Sequence, residues 1–429
     1  MFIVIQNHLL SIYKRIVSSI AFYPFLILMG YFLLAAVLLT QKKSLATSWL
    51  VDHAPFLVMD NAATARSILS TMISGNISLM VFSFTMVMMI LNQAGSSFSP
   101  RLLPGLISDK RNQVVLGVYL GTIVFNILVL TSVRQEDDEF TLNILAILIG
   151  IISGIFCLIL FTYFIHTISN SIQINNILLR IYTDCSQRLE EIGEAENGIV
   201  SSLDIKSGTK IQAKRAGYYQ DINSNGLLER INSMQTNIII YPVKGQYVLP
   251  TDTVMLIDKK LDKEKAEKLL DYMIYSNAKE VRENYALGFK QISEVGVKAM
   301  SPGINDPGTA IITIDYLTSL FKLRMKLGDI RIVSSDEGPS QVEHTIVQFA
   351  DMIYDTYSAY RQYCKHDYIL MKKLADSLMH LKDSDAAQHH YYDCIDEQLA
   401  LIKEDVKEHV SNETDRVRIL NRLNGEEVS

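Results

Sequence analysis

The feature that most constrains this chain is a set of four long apolar runs in its N-terminal part. They cover about Val17–Leu39, Ile73–Leu91, Val114–Val133 and Leu142–Ile165. A helix needs ~20 apolar residues to cross a hydrocarbon core about 30 Å thick, and each run is that long. The sequence therefore predicts a four-helix transmembrane domain over residues 1–170, with the lipid bilayer as a partner.

The charged residues concentrate after these runs. The 40 Lys+Arg and 46 Asp+Glu give a formal net charge of −6, which offers no reason to expect nucleic acid as a partner. The four cysteines form no C-x-x-C pair, which suits a reducing cytoplasm. The first run is too long for a signal peptide and is followed by Gln41-Lys42-Lys43, so we expect a retained anchor.

Basic residues near the ends of the runs predict the topology. Lys14 and Arg15 precede the first run, three more basic residues lie between the second and third, and the loop after the third contains the acidic stretch Glu136–Glu139. Basic loops stay in the cytoplasm, so both termini are expected there. Three basic residues in the first outer loop oppose this rule.

Polar residues follow one side of the second run, and we call them the polar stripe. They are Thr71, Ser74, Ser78, Thr85 and Asn92. A spacing of seven is close to two helical turns, so these groups share a slowly winding face. The stripe predicts either a packing surface for another helix or the lining of a water-filled path, because a neighbouring helix or water must satisfy its polar groups.

The third and fourth runs each contain a G-x-x-x-G pattern. Gly117 and Gly121 form the first, and Gly150 and Gly154 form the second. Small residues at this spacing let helix backbones approach closely, so the runs predict a tight bundle. Asn126, midway along the third run, is costly in lipid and is expected to face protein.

After the fourth run the sequence predicts a cytoplasmic α+β region in three parts. Residues 171–198 continue the fourth helix as an amphipathic stalk, because apolar residues recur at helical spacing from Ile174 to Ile192. Residues 199–258 predict a small β-barrel-like domain of five short strands, and residues 259–429 a helical domain. The predicted strands are Lys210–Ala213, Gly217–Asp221, Asn237–Val243, Gln246–Leu249 and Thr253–Ile257.

A tight turn interrupts the helical region. A long helix is predicted over Lys263–Met300, followed by Ser301, Pro302, Gly303, Ile304, Asn305, Asp306 and Pro307. Asp306 can cap the next helix with Pro307 at its first position. The turn predicts a structural cap, with ion or ligand binding as the alternative.

A second short motif, Phe98, Ser99, Pro100 and Arg101, falls where the second helix is expected to leave the membrane. Pro100 ends or kinks the helix, and Arg101 would then lie at headgroup level. The motif predicts an interfacial anchor, with lipid-phosphate binding or a salt bridge to the soluble region as alternatives.

The sequence offers no recognisable catalytic or metal-binding constellation. It has no Walker loop, no dinucleotide fingerprint and no H-E-x-x-H. His389, His390, Asp393 and Cys394 lie at helical spacing but have no matching second pair, so a solvated helix face is expected. We therefore predict no cofactor, no metal and no enzymatic activity.

Three stretches together resemble a known family. They are Phe82-Ser83-Phe84-Thr85, Phe98-Ser99-Pro100-Arg101-Leu102-Leu103, and Ser301–Pro307 followed by Thr309-Ala310. The chain resembles, over nearly its whole length, the bacterial predicted membrane protein family called domain of unknown function twenty-two fifty-four. It departs at Gly308, where the family usually has a bulky aromatic, and at Ser96-Ser97. The resemblance implies an inner-membrane location and no established activity.

Two function classes follow from these features. The polar stripe favours a homo-oligomeric, channel-like or transport protein whose cytoplasmic region acts as a gate. The large soluble region and the lack of ionisable residues within the runs favour a membrane-anchored scaffold or sensor that binds a cytoplasmic partner.

Overall fold

The computed structural model describes most of the chain as two compact units, Met1–Asn176 and Ile177–Ser429. The described residues are 19, 21–40, 53, 61–97, 110–133, 144–171, 173–195, 202–275, 284–335, 338–383 and 391–425. Each unit has its own core. The predicted division into four domains stays a prediction.

The first unit contains the helices that the four apolar runs predict. Within its described residues they are α1 (Phe22–Thr40), α2 (Ala62–Ser97), α3 (Lys110–Ser132) and α4 (Ile144–Ser171). All four are long and apolar enough to cross a membrane. The prediction of four apolar helices long enough to cross a membrane is confirmed.

Both G-x-x-x-G patterns lie at helix crossings. A Cβ at Gly117 would lie 2.9 Å from Pro24 Cα, and one at Gly121 would collide with the ring of Tyr31, so α3 packs closely on α1. On α4, a Cβ at Gly150 would collide with Asn126 of α3, and one at Gly154 would lie 2.8 Å from Met72 Sδ of α2. Because each glycine removes a clash, the sequence allows the close packing that both patterns predicted.

The predicted continuation of the fourth helix is interrupted. α4 ends at Ser171, and α5 (Ile174–Ala195) begins after the non-helical Gln173. Near the break, Asn176 Nδ2 donates to Asn170 O at 2.7 Å. Asparagine and serine side chains compete for backbone groups, so the polar run before Ile174 favours a break that apolar periodicity alone does not reveal.

α5 is amphipathic, as predicted, and its apolar face is buried. Leu178, Ile181, Leu189 and Ile192 are buried along it, while Ile174 is only partly covered. The ring of Tyr182 stacks on that of Tyr316 with centroids 4.8 Å apart. This helix therefore packs as part of the second unit over most of its length rather than standing free as a stalk.

The strands of the second unit form open sheets, and the predicted barrel is not formed in the described residues. The strands predicted before residue 258 are present as β1 (Thr209–Gln212), β2 (Gly217–Ile222), β3 (Ile238–Ile240), β4 (Tyr247–Val248) and β5 (Thr253–Ile257). Helix α6 (Ser224–Met234), capped by Asn223, separates β2 from β3.

Three strands come from the region predicted to be helical. They are β6 (Met273–Tyr275), β7 (Ile330–Ser335) and β8 (Gly338–Thr345). One sheet has the order β1-β5-β3-β8-β7 and the other β4-β2-β6, and β3 and β8 pair in parallel. Strands from distant parts of the chain complete both sheets, and the described strands of residues 199–258 are divided between them.

The remaining helices follow in sequence order, and most of them pack on one another. The predicted helix Lys263–Met300 is divided into α7 (Lys263–Leu269), a short 3-10 turn, β6 and α8 (Tyr285–Ala299). α9 (Pro307–Arg324) follows, and after the β7–β8 hairpin come α10 (Phe349–Cys364), α11 (Tyr368–Lys382), α12 (Tyr392–His409) and α13 (Glu413–Leu423).

Candidate functional site

The polar stripe lies on the face of α2 that turns away from the bundle. Thr71, Ser74, Ser78, Thr85 and Asn92 are all exposed in the single chain. The hydroxyl groups of Thr71, Ser78 and Thr85 donate to the carbonyl oxygen one helical turn earlier, at 2.8, 3.0 and 2.8 Å. The stripe therefore does not pack within its own bundle.

These intrahelical bonds correct one step of the sequence argument. The expectation was that a neighbouring helix or water must satisfy the stripe. A serine or threonine in a helix can instead bond back to its own backbone, which lowers the cost of facing lipid. Whether the stripe lines a path or contacts another subunit stays a prediction.

The exposed face of α2 changes character along its length. Ser67, Ser70, Thr71, Ser74, Gly75 and Ser78 occupy its N-terminal half. Its C-terminal half also exposes Val81, Phe82, Phe84, Met88 and Met89. The face thus passes from small hydroxyl side chains to bulky apolar ones within a single span.

A second set of polar residues on α2 points the opposite way. Asn76 and Ser83 are buried, at 3% and 0% exposure, and they continue the row that begins at buried Leu69. Three residues spaced by seven share one helical face. The sequence argument missed this row because it followed only the polar residues on the side of the stripe.

Inside the bundle these residues meet polar groups of α3 and α4, and together they form what we call the interior polar cluster. Its members are Asn76, Ser83, Tyr119, Thr122, Asn126 and Cys157. The Tyr119 hydroxyl lies close to Ser83, and the Thr122 hydroxyl lies close to the Cys157 thiol. Asn126 is fully buried, so the prediction that it faces protein is confirmed.

Asn126 lies where α3 crosses α4. Its Nδ2 atom is 3.5 Å from Gly150 O, and a Cβ at position 150 would collide with its Oδ1 atom. At Gly154 a Cβ would clash with Met72 Sδ at 2.8 Å and would lie 3.7 Å from Asn76 Nδ2, so this glycine makes room for Met72 beside Asn76. The spacing of the two glycines predicted a close helix crossing, but it did not show which residues of α2 and α3 pack there.

Arg66 closes one end of the bundle. Its Nε and NH2 atoms donate to Val133 O at 3.2 and 2.8 Å, just beyond the last residue of α3. The last carbonyl groups of a helix have no intrahelical donor, and a cation also complements the dipole there. This role explains a basic residue that opposes the topology rule.

Two predicted motifs fall outside the described residues. Phe98, Ser99, Pro100 and Arg101 lie there, as do His389 and His390. In the part of the chain that the structure describes, three or more His, Cys, Asp or Glu side chains do not gather into a metal-binding group.

The turn Ser301–Pro307 is exposed from Pro302 onward and places its polar groups as a helix cap. Asp306 Oδ1 accepts from Thr309 N at 3.1 Å, and Oδ2 accepts from Thr309 Oγ1 at 2.6 Å. These bonds hold the pKa of Asp306 below its ordinary value. Asn305 adopts the left-handed conformation at φ 48°, and Pro307 begins α9, so the predicted cap is present.

Burial keeps two cysteine thiols and one histidine of the second unit uncharged at neutral pH. Burial raises the pKa of Cys394 to about 11 and that of Cys364 to about 12, which makes both thiols poor nucleophiles at neutral pH. Burial, together with nearby Arg331 and Lys244, lowers the pKa of His344 to about 4. Lys244 is paired with Asp221 at 2.8 Å.

An apolar gap in the second unit is too small to serve as a ligand site. It lies between α9, α10 and α11 and is lined by Ile314, Leu317, Thr356, Tyr357, Tyr360 and Leu374. No water-sized sphere fits in it. The gap is therefore not a candidate ligand site, and the polar side chains of the bundle in the first unit form the candidate site.

A bundle of membrane-length helices with buried polar residues, followed by a large mixed α/β unit, defines a polytopic membrane protein. The model of the predicted membrane protein family DUF2254 matches residues 17–380, and the chain belongs to that family. The family assignment suggested by the three sequence stretches is thus confirmed.

Two mycobacterial relatives share part of this sequence. The uncharacterized protein Mb1321c of Mycobacterium bovis and the uncharacterized protein Rv1290c of Mycobacterium tuberculosis are each 23% identical over 268 residues. The matched part is 60% of this chain and 51% of each relative, so the chain spans about half the length of the curated relatives it matches. No solved structure matches.

Proposed function

We propose that this protein is an inner-membrane protein with both termini in the cytoplasm, and that it forms a homo-oligomeric, channel-like assembly. The observation that carries this proposal is the exposed polar stripe of α2. A membrane-spanning helix rarely presents five polar side chains to lipid. In an oligomer with α2 at its centre, the stripes of several chains would face one path.

The contrast with the other helices supports α2 as the lining element. α1 exposes large apolar side chains, among them Phe25, Met29 and Phe32, as expected of a lipid-facing surface. α4 likewise exposes Ile155, Phe156 and Ile159. On α2 the hydroxyl-rich half would form a wide polar section, and Phe82 and Met89 would form an apolar constriction that gates by excluding water.

A scaffold or sensor is the second candidate, and one observation favours it. Because three stripe hydroxyls already bond to their own helix, they do not require water. A helix with such a face could contact lipid or a partner helix without conducting anything. The second unit would then bind a cytoplasmic partner.

Cysteine accessibility in a Cys-free background distinguishes the two candidates. Ser78→Cys and Thr85→Cys should react with a small charged thiol reagent in proteoliposomes, and modification should reduce solute flux. Ile155→Cys is the matched control, because it is 48% exposed on the apolar face of α4. If the stripe cysteines react no faster than this control and the purified protein shows no flux, the channel is rejected and the scaffold adopted.

A further inference from the structure

The interior polar cluster has no role in the proposed path, because it lies on the opposite face of α2. All six of its side chains are at least nine-tenths buried, at 3% exposure for Asn76 and 0% for the other five. A polar group inside a membrane must find its hydrogen bonds within the protein or in enclosed water. Buried polar atoms of the cluster that lack a hydrogen-bond partner in the protein therefore indicate a bound molecule.

Two asparagines leave polar atoms without a partner. Among the residues that the structure describes, Asn76 Nδ2 and Asn126 Oδ1 are buried and make no hydrogen bond. The other amide atom of Asn126, Nδ2, reaches Gly150 O only at 3.5 Å. Ser83 Oγ, Tyr119 OH and Thr122 Oγ1 are also buried without a hydrogen-bond partner, so the cluster offers unused donors and acceptors on both α2 and α3.

These groups form a continuous set along α4. Asn126 lies against Gly150, Asn76 lies beside Gly154, and Thr122 lies close to Cys157. Positions 150, 154 and 157 follow one another at a turn or less on one helix face. The unused atoms therefore line one short stretch of the interior rather than separate places.

The chemistry of the cluster favours a neutral ligand that can both donate and accept hydrogen bonds. A cation would lie among amides, hydroxyls and a thiol with no carboxylate in the cluster, and a buried charge without a counter-charge is costly. An anion would meet no basic side chain there. Water donates and accepts, and buried water typically makes about three bonds to groups left unsatisfied by the protein.

We propose that the bundle of each protomer binds ordered water between Asn76, Thr122, Asn126 and Cys157, so that its middle is a hydrated polar site and not a dry helix interface. This proposal does not depend on the path along the α2 stripe. The water bridges α2, α3 and α4 through the two asparagines. Cys157 lies within the set and serves as its natural reporter.

The test measures thiol modification at Cys157. Cys185, Cys364 and Cys394 are replaced by Ala in the full chain, and the protein in detergent is treated with methyl methanethiosulfonate, which is small and neutral. Intact-mass spectrometry follows the rate. The control is Val129→Cys in a Cys-free chain, because Val129 is also 0% exposed but packs in a wholly apolar part of the bundle.

A hydrated site predicts that Cys157 reacts about tenfold faster than the cysteine of the Val129→Cys control, since the reagent enters with the water. Asn126→Leu and Asn76→Leu should each slow Cys157 severalfold. Two variants are used so that one that fails to fold does not decide the outcome. Equal rates at the two positions, whether slow or fast, overturn the proposal, and so does a fast Cys157 rate that neither asparagine variant changes.

Discussion

The two units of this protein treat their buried polar groups differently. In the second unit Arg324 is fully buried, and its guanidinium donates to Asp329 Oδ1, to Leu327 O at 3.2 Å and to Val347 O at 3.1 Å. The Tyr391 hydroxyl bonds to the same carbonyl and the same carboxylate. The buried guanidinium is thus paired with a carboxylate, and the Tyr391 hydroxyl shares two of its acceptors.

In the membrane unit the buried groups are neutral, and glycine makes room for them. Asn126 and Asn76 lie against the backbone of α4 at Gly150 and Gly154. Hydroxyls on the outer face of α2 bond to their own helix. The bundle interior thus holds neutral polar groups where helix backbones approach closely, whereas the second unit buries a cation beside a carboxylate.

The largest expected effect comes from breaking that ion pair. Asp329→Ala leaves the Arg324 guanidinium buried without a counter-charge, which should lower the free energy of unfolding of the second unit by about 3 kcal/mol. Amide hydrogen exchange in α9 and α12, followed in the full chain in detergent, measures this loss. The effect should be independent of the membrane unit.

A matched control uses an ion pair of the same unit that lies in solvent. Lys382 and Asp396 are paired at 2.6 Å but are 41% and 50% exposed. Asp396→Ala should cost about 0.5 kcal/mol or less. If the two alanine variants cost the same, the contrast between the units does not rest on a buried charge.

The next effect tests the role of glycine in the bundle. Gly150→Ala places a methyl group against Asn126 and should lower the free energy of unfolding by about 2 kcal/mol. Unfolding with sodium dodecyl sulfate in mixed micelles, followed by far-ultraviolet circular dichroism, measures it.

Gly30→Ala on α1 is the control for this change, because a Cβ there meets no atom within 4 Å. It should be neutral or stabilising by up to about 1 kcal/mol, since alanine is the better helix former. Equal behaviour of the two variants would show that close approach at Gly150 does not hold the bundle together.

A smaller effect is expected at the end of α3, where the membrane unit does use a charge. Arg66→Leu removes both donors to Val133 O and should cost about 1.5 kcal/mol. Arg66→Lys keeps the cation but not the paired bonds and should fall between Leu and wild type in the same micelle titration. A Lys variant as unstable as Leu would assign the effect to geometry rather than to charge.

Local patterns in the sequence were sufficient for the spans, the glycine crossings and the Asp306 cap. Each of these depends on residues within a few turns of one another. The sheet was not predictable in this way, because Ile238–Ile240 pairs in parallel with strand residues about a hundred positions later. Such pairing depends on tertiary contacts that strand propensity does not encode.

The candidate site shows the same limit within a single helix. Polar residues at a spacing of seven occur twice on α2, once through Ser78 and Thr85 and once through Asn76 and Ser83. The spacing is identical, and only the packing of α3 and α4 decides which row is buried. The glycines at 150 and 154 were the available signal, since Gly150 leaves room for Asn126 and Gly154 for Met72 beside Asn76.

The smallest expected effect lies at the exposed turn of the second unit, where the Asp306 carboxylate caps α9 by accepting hydrogen bonds from Thr309. Asp306→Ala should lower the free energy of unfolding by about 1 kcal/mol at pH 7, because Thr309 N and Oγ1 lose their acceptor. Since those bonds hold the folded-state pKa below its ordinary value of 3.8, the cap contributes fully above that pH and its contribution is lost as the pH falls below it.

Asp306→Asn keeps an acceptor that does not titrate, so it should stay within a few tenths of a kcal/mol of wild type at pH 7 and lack the acid-dependent loss. Hydrogen exchange in the first turn of α9, compared at pH 7 and pH 3 for the three proteins, measures both effects. If wild type and Asp306→Ala exchange alike at both pH values, the carboxylate does not stabilise the helix. Ion binding by the exposed Asp306 would then be the better interpretation of the turn.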